Sequence, residues 1–365
     1  MRLGISTRGL SEGSYAISTI VLHLTRKIIE LAGAQHEIFL YFNDPQHEKL
    51  FASSVFKRSL KLNNRFLWDQ FWLPQALAKD RVDLALFMKG TMPALLPCRG
   101  AVMFHDLGYF DQVLRPYHLT ETVYMKAMMS RAARQASLVF TVSKYTRDET
   151  IRIFDLDPNK ISVCHENCSP IYEPVTDQAK RNTIRDRYHL PDNFIFCPTS
   201  ISPRKNISRI LAAFENAKDG IAHDLVITGG QSIREKDLAR RINSKHYPRV
   251  HVLGEVPQED MPGLYSLAGF TLYPSLLEGF GLPVLEAFRC GCPILTSNNS
   301  SIPEVAGDAA YLVDPYDTDQ IAEGIVKLAT DPVLRQTLVA RGHVQAKKFS
   351  WDRTARSILN ALEGR

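Results

Sequence analysis

The chain has 365 residues, 45% of them hydrophobic and 23% charged, with 20 glycines and 20 prolines. At roughly 100–200 residues per domain this is enough for two domains with cores of their own, and it excludes collagen-like, disordered and coiled-coil chains. Its 44 Lys and Arg against 39 Asp and Glu leave a net charge of +5, a small excess that argues against nucleic acid as a partner and leaves anionic small molecules or an anionic membrane face compatible.

No run approaches the ~18–20 apolar residues of a membrane-spanning helix. Met1–Arg8 is broken by polar residues too early for a secretory signal, so the expected location is cytoplasmic. The six cysteines lie mostly in apolar runs such as Ile195-Phe196-Cys197-Pro198 and read as buried free thiols in a reducing compartment. Cys164-x3-Cys168 and Cys290-x-Cys292 lack zinc-knuckle spacing and a flanking His pair, and no metal site is expected.

Short β-branched runs alternate with segments of helical period, the pattern of parallel sheets covered by helices. In the first half the expected strands are Leu3–Thr7, Glu37–Phe42, Asp83–Met88, Ala101–His105, Leu138–Ser143 and Ile161–His165. Between the first two, Ile17, Ile20, Val21, Leu24, Ile28 and Leu31 recur at helical spacing. The loop Arg8-Gly9-Leu10-Ser11-Glu12-Gly13 follows the first strand, and its glycines permit a tight turn without matching the dinucleotide fingerprint. His105 and Asp106 fall at the carboxyl end of another strand, where open parallel sheets bind ligands.

Tyr124–Arg134 mixes apolar and basic residues at helical spacing. It reads as a surface helix with its Met face in the core, with peripheral membrane contact as the alternative. Asp155-Leu156-Asp157 precedes Pro158-Asn159 and reads as a helix-ending turn, not a metal-binding pair. Strand and helix signals lapse around Ser169–Pro174. The expected domains are therefore 1–172 and 173–348, with 349–365 as a closing helix begun by Ser350 and packing back toward the first domain.

The second half repeats the pattern with strands Phe194–Thr199, Asp224–Thr228, Val250–Leu253, Phe270–Tyr273, Pro293–Thr296 and Ala310–Val313. After its first strand, Arg204 and Lys205 offer a fork and a point charge suited to one diphosphate. After Phe270–Tyr273 comes Glu278-Gly279-Phe280-Gly281-Leu282-Pro283-Val284-Leu285-Glu286, with Pro283 suited to a first helical turn and Gly291 to the residue beyond its end. Glu278 would then precede the helix and Glu286 lie about one turn inside it. Gly279 and Gly281 let free N–H groups approach an anion at the helix start, and the carboxylates suit hydroxyls of a sugar or ribose.

Taken together these residues resemble the retaining GT-B glycosyltransferases of glycosyltransferase family 4, and the likeness is strongest from about 194 to 315. Glu278–Glu286 looks like that family's E-x7-E motif, and Val250-His251-Val252-Leu253-Gly254-Glu255-Val256 looks like the strand and turn that meet the nucleotide base. Ser143-Lys144-Tyr145-Thr146 and Phe349-Ser350-Trp351 are similar to further landmarks. The resemblance implies an α/β GT-B fold, two Rossmann-like domains facing a central cleft, with Gly9, Gly254, Glu255, Val256, Gly279, Phe280, Gly281, Leu282 and Glu286 binding the donor. It gives Glu286 the ribose, Glu278 the sugar hydroxyls, Arg204 and Lys205 the diphosphate, and His105 the sugar or acceptor. Many members place an Arg five residues before the lysine, where this chain has Ser200. The His105-Asp106 and Ser-Pro-Arg-Lys-Asn variants look like the mannosyl- and rhamnosyltransferase branch.

The implied activity is transfer of a hexose, mannose from GDP-mannose, to a hydroxyl of a glycan or lipid-linked oligosaccharide in surface polysaccharide synthesis. No metal or other cofactor is expected beyond the nucleotide sugar as co-substrate. The alternatives are a UDP-sugar-dependent transferase, a GT-B nucleotide-sugar epimerase, and a non-catalytic nucleotide-sugar-binding subunit.

Overall fold

The computed structural model describes residues 1–11, 15–62, 64–114, 117–199, 202–229 and 247–364. Glu12, Gly13 and Ser200 lie outside the described residues. The chain divides into two compact units, Met1–Asn167 with Phe349–Arg365, and Cys168–Lys348.

The first unit carries a seven-stranded, all-parallel sheet among the described residues. Its strands are β1 (Arg2–Ser6), β2 (Glu37–Phe42), β3 (Phe56–Ser59), β4 (Leu84–Phe87), β5 (Arg99–Phe104), β6 (Leu138–Thr141) and β7 (Ile161–Val163), in the order β3-β2-β1-β4-β5-β6-β7. All four residues of β4 and of β6 are buried, as expected of central strands covered on both faces. The helix Tyr15–Ala32 buries Ile20, Val21, Leu24 and Ile28, the stripe visible in the sequence.

β3 was not foreseen. Its Phe56-Lys57-Arg58-Ser59 has no apolar run because it sits on the sheet edge, with Phe56 45% exposed. It is held by Phe56 stacking on Phe39 and by Arg58 pairing with Asp80 at 2.9 Å.

The closing helix Trp351–Glu363 belongs to this unit. Ser350 caps it by accepting from the Arg353 N–H at 3.2 Å, and it buries Trp351, Ala355, Ile358 and Leu359. Thr354 donates to the His165 carbonyl, and Trp351 stacks on His23.

The second unit carries six parallel strands among the described residues: β8 (Phe194–Pro198), β9 (Asp224–Thr228), β10 (Val250–Gly254), β11 (Phe270–Tyr273), β12 (Ile294–Ser297) and β13 (Tyr311–Val313), in the order β10-β9-β8-β11-β12-β13. One core joins Ile195, Leu225, Phe270 and Leu295 to Ile210 and Phe214 of the helix Ile207–Ala217 and Ile325 of the helix Thr318–Thr330. The expected boundary at 172/173 moves to Asn167/Cys168. Tyr172, 1% exposed, is a core residue of the second unit: its hydroxyl donates to Gln258 at 2.8 Å and its ring meets Tyr265 edge-on.

In each sheet the strand order reverses once, between β1 and β4 and between β8 and β11. Connections leave the sheet in opposite directions there, and a crevice opens at the carboxyl ends of the two strands.

Candidate functional site

At the reversal in the second sheet, the loops after β8 and β11 are bound to each other. Pro203–Lys205 forms one tight helical turn that ends at Asn206, whose backbone is left-handed at φ 62°. Asn206 is 3% exposed, and its amide donates to the carbonyls of Pro274 at 2.9 Å and Pro315 at 2.7 Å. The Leu276 N–H and the Ser275 hydroxyl both donate to the Arg204 carbonyl, at 2.8 and 3.0 Å. Two segments about seventy positions apart thus form one rigid platform carrying Arg204, Lys205 and Glu278.

Glu278 is 7% exposed. Its Oε1 accepts from Lys205 Nζ at 2.7 Å, Tyr273 OH at 2.7 Å and Ser275 Oγ at 2.6 Å, and its Oε2 accepts from Arg204 at 3.2 Å. Burial alone would raise its pKa, but the positive charges of Lys205 and Arg204 outweigh it and bring the carboxyl down to about 2. Lys205 also donates to the Tyr273 hydroxyl, and its ammonium lies 4.7 Å from the centre of that ring.

The helix Leu282–Arg289 starts immediately afterwards, with Pro283 in its first turn and Gly291 at φ 69° beyond its end. Gly281 occupies φ 106°, a conformation that strains any side chain, and a Cβ there would lie 2.6 Å from Ile302 Cδ1, which would have to shift. Ser301 donates to the carbonyls of Glu278 and Phe280, both at 2.9 Å, which fixes the turn that carries Gly279 and Gly281. Glu286, one turn inside, is 6% exposed and accepts from Tyr265 OH at 2.7 Å. Here burial dominates: it lifts the pKa to about 7 against the opposing hydrogen bonds of Tyr265 and Tyr172 and the charge of Lys205. Two glutamates eight positions apart therefore release their protons at very different pH, near 2 and near 7, and the difference comes from the nearness of the cations to Glu278.

Gly254, with φ 71°, ends β10 at the edge of this sheet, followed by exposed Glu255 and half-buried Val256. A Cβ at Gly254 would meet nothing within 4 Å, so backbone conformation alone selects the glycine.

In the first unit, His105 follows β5. Its Nδ1 lies 2.6 Å from Glu166 Oε1 and its Nε2 2.6 Å from the Met88 carbonyl. The Met88 carbonyl can only accept, so Nε2 carries a proton, and the Glu166 carboxylate is placed to accept one from Nδ1. Burial opposes the charged form of the ring, but Glu166 and Met88 outweigh it and raise the pKa. Both nitrogens are thus engaged inside the first unit, where the resemblance led us to expect a sugar or acceptor contact. Gly9, after β1, faces Ile17 and Val21 of the following helix, and a Cβ there would come within 2.8 Å of Ile17. Arg8 beside it is 9% exposed and forms an ion pair with Asp69.

Sequence reading missed Glu166, Tyr273, Ser275, Tyr265 and Tyr172. Tyr273 and Ser275 stand at the carboxyl end of β11, and Glu166 just beyond β7, so the strand-end rule reached their positions while nothing local marked their partners. Asp155 closes the helix Lys144–Phe154 at φ 53°, and Asp157 accepts from the Asn159 N–H at 2.8 Å, the turn expected of them. All six cysteines are free thiols. Among the described residues no cluster of three or more His, Cys, Asp or Glu could hold a metal, and no helix is long and apolar enough to cross a membrane. The helix Leu119–Gln135 buries Met129 on its inner face and exposes Leu119 and Val123 on its first turns.

Residues 180–345 match the family described as Glycosyl transferases group 1, and residues 18–166 match Glycosyltransferase Family 4. Over 270 residues the chain is 34% identical to the O-antigen chain mannosyltransferase B of Escherichia coli, covering 73% of this chain and 70% of that one. It is 28% identical over 304 residues to the serotype-specific mannosyltransferase WbdA of Escherichia coli, covering 79% of this chain but 37% of that longer protein. A glycosyltransferase from Rickettsia africae shares the fold, with a TM-score of 0.75 at 15% identity over 100% of this chain and 98% of that one.

Proposed function

The chain belongs to the glycosyltransferases that join a family 4 domain to a group 1 domain and is a hexosyltransferase of GT-B fold, and from that premise we propose that it moves mannose from GDP-mannose to a hydroxyl of a growing surface polysaccharide, with retention at the anomeric carbon. The observation that carries this reading is the buried cluster of Glu278 with Arg204 and Lys205, beside a helix start and one turn from Glu286. The names of the two Escherichia coli relatives support mannose as the sugar and an O-antigen-like glycan as the acceptor.

In this reading the leaving diphosphate takes Arg204 and Lys205 as partners and lies before the helix Leu282–Arg289, whose dipole adds to theirs. Fixed positive groups in a site of low dielectric stabilise the leaving group without reorganisation at the moment of bond breaking. Glu278, ionised throughout the neutral range, accepts hydrogen bonds from the sugar hydroxyls, and Glu286 accepts from the ribose. Gly254, Glu255 and Val256 border the base, and Gly279, Phe280 and Leu282 line the turn beside the phosphates. His105 reaches sugar or acceptor by exchanging one of its present partners, Glu166 or the Met88 carbonyl. No metal takes part, since side chains and a helix end supply the positive charge. The acceptor is a glycan or a lipid-linked oligosaccharide, and the helix Leu119–Gln135, whose Lys126, Arg131 and Arg134 accompany exposed Leu119 and Val123, is the surface proposed for peripheral membrane contact.

The test is incubation with a panel of GDP- and UDP-sugars, with and without a mannose-terminated glycan, and NMR of the product. An α-mannoside from GDP-mannose supports the reading. Turnover of UDP-sugars alone, or isomerised nucleotide sugar without acceptor, replaces it with one of the alternatives. Co-sedimentation with anionic vesicles tests the membrane contact.

A further inference from the structure

Tyr172 lies in the segment that opens the second unit, ahead of the helix Gln178–Tyr188, and the roles given above leave its hydroxyl without a task. The side chain is buried, and its hydroxyl donates to Gln258 Oε1 at 2.8 Å and hydrogen-bonds the Glu286 carboxyl as well. Tyr265, from the helix Met261–Leu267, meets the Tyr172 ring edge-on and donates to Glu286 Oε2 at 2.7 Å. Two hydroxyls from separate segments thus bracket one buried carboxyl. Burying a hydroxyl costs free energy unless partners satisfy it, and here the partners are Glu286 and a residue of the loop that follows β10.

Gln258 stands four positions beyond Gly254, on that loop. The loop is anchored just after it: the buried Asp260 carboxylate accepts from Arg187 and from Tyr188 at 2.6 Å each, and the Asp260 N–H donates to the Pro257 carbonyl at 3.1 Å. With the backbone held, the freedom left at Gln258 is rotation of its side chain, whose terminal torsion is broad. The Tyr172 hydroxyl has one proton to give. While Glu286 keeps its own proton it can donate to the Tyr172 oxygen, and Tyr172 donates to Gln258 as observed. An ionised Glu286 can only accept, so Tyr172 turns its proton toward it and Gln258 keeps its bond by presenting its NH2 group. One hydroxyl therefore links the state of Glu286 to the orientation of Gln258.

We propose that Tyr172 is a positioning residue for the donor nucleotide: it orients the Glu286 carboxylate toward the ribose hydroxyls and takes its own orientation from Gln258, so that one hydrogen-bond chain joins the ribose contact to the loop beside the base. The proposal rests on the donor site described above and adds two residues to it. Ribose hydroxyls donate to a carboxylate only along its lone pairs, so a carboxylate fixed by two tyrosines meets them without first being ordered.

Calorimetry on the full chain compares GDP with 2′,3′-dideoxy-GDP, which keeps the base and diphosphate and lacks both ribose hydroxyls. Tyr172→Phe should weaken GDP about fivefold or more, the order of one net hydrogen bond, and leave the dideoxy nucleotide within about twofold. Gln258→Met should show the same selectivity, and combined with Tyr172→Phe it should add less than about twofold. The pH at which GDP affinity rises should move upward in Tyr172→Phe, because a carboxyl that loses a donor is harder to ionise. Lys205 supplies positive charge to Glu286 from the turn after β8, while Tyr265, Tyr273, Cys168 and Cys290 around it are raised by burial and stay neutral near pH 7, so the shift belongs to the lost hydroxyl. Tyr172→Phe keeps the ring against Tyr265, circular dichroism checks that it folds, and Gln258→Met, at a half-buried loop position, carries the test if it does not. Equal losses for the two nucleotides, additive losses in the double variant, or an unmoved pH profile would overturn the proposal. Wild-type chain that binds GDP and its dideoxy form equally rejects the ribose role of Glu286 itself. Wild-type chain that binds UDP and not GDP rejects the guanine donor, and the same comparison with UDP and its dideoxy form then decides the role of Tyr172, since the ribose is common to both.

Discussion

Lys205 Nζ stands 2.7 Å from Glu278 Oε1, so the cation proposed for a diphosphate and the carboxylate proposed for a sugar form one ion pair. The pair is buried, with side-chain exposures of 11% and 8%. Removing one partner of such a pair leaves an uncompensated charge, which costs more than the attraction itself contributes. The two roles therefore meet at one buried pair, and a donor diphosphate that takes Lys205 as a partner shares it with Glu278.

Replacement of Arg204 or Lys205 by Ala should weaken GDP by about 1.5–3 kcal/mol, the typical contribution of a hydrogen bond to a charged group. Guanosine should lose much less, because it has no phosphate. Calorimetry with both ligands checks the difference, and equal losses would remove these residues from the phosphate site.

The two glutamates should fail differently. Glu286→Gln should weaken GDP and donor alike, because the ribose is common to both. Glu278→Gln should leave GDP binding near normal and lower turnover, as befits a group that serves the transferred sugar. Initial rates beside GDP affinities decide it, and comparable loss of GDP affinity in the two variants would refute the division of roles.

The glutamates also make opposite contributions to stability against pH. Glu278, lowered from 4.5 to about 2, adds stability that is present above pH 4.5 and lost as the pH falls toward 2. Glu286, raised from 4.5 to about 7, keeps a proton that the unfolded chain has released, so its contribution declines as the pH rises from 4.5 to about 7 and is level above that. Denaturant titrations over pH 3–8 should show the acid loss reduced in Glu278→Gln and the decline toward neutrality reduced in Glu286→Gln. If ribose takes Glu286 as a carboxylate, GDP should bind more tightly as the pH rises through 7, with release of a proton that calorimetry in two buffers detects.

His105 should titrate above its ordinary value of 6.5, because Glu166 and the Met88 carbonyl hold both of its protons. A group raised in this way contributes stability fully present below 6.5 and lost as the pH rises through its folded value. NMR of the imidazole should show Glu166→Gln lowering that pKa, and an unchanged titration would mean that Glu166 does not govern the ring.

Catalysis should survive excess chelator. In Asp155-Leu156-Asp157 the backbone of Asp155 closes a helix and the Asp157 carboxylate accepts from the Asn159 N–H in the following turn, and the proposed site supplies its own cations. Complete loss of activity on chelation, restored by manganese or magnesium, would overturn this expectation.

Much of this protein was legible locally. Alternating periods set out parallel sheets and covering helices, and Gly281, Pro283 and Gly291 marked the start and end of a helix with Glu278 before it and Glu286 inside it. Those signals act over a few residues through backbone conformation, hydrogen bonding and periodicity, so a short window of sequence carries them. The edge strand β3 escaped because half-exposed edge positions need no apolar run. Strand order, and with it the two reversals where charged residues gather, was settled only by tertiary packing. So were the pairing of Lys205 with Glu278 across 73 positions, of His105 with Glu166 across 61, and of Glu286 with Tyr265 across 21. Burial and electrostatics depend on which groups the fold brings within a few ångströms, and for that reason two glutamates of one short motif hold their protons so differently.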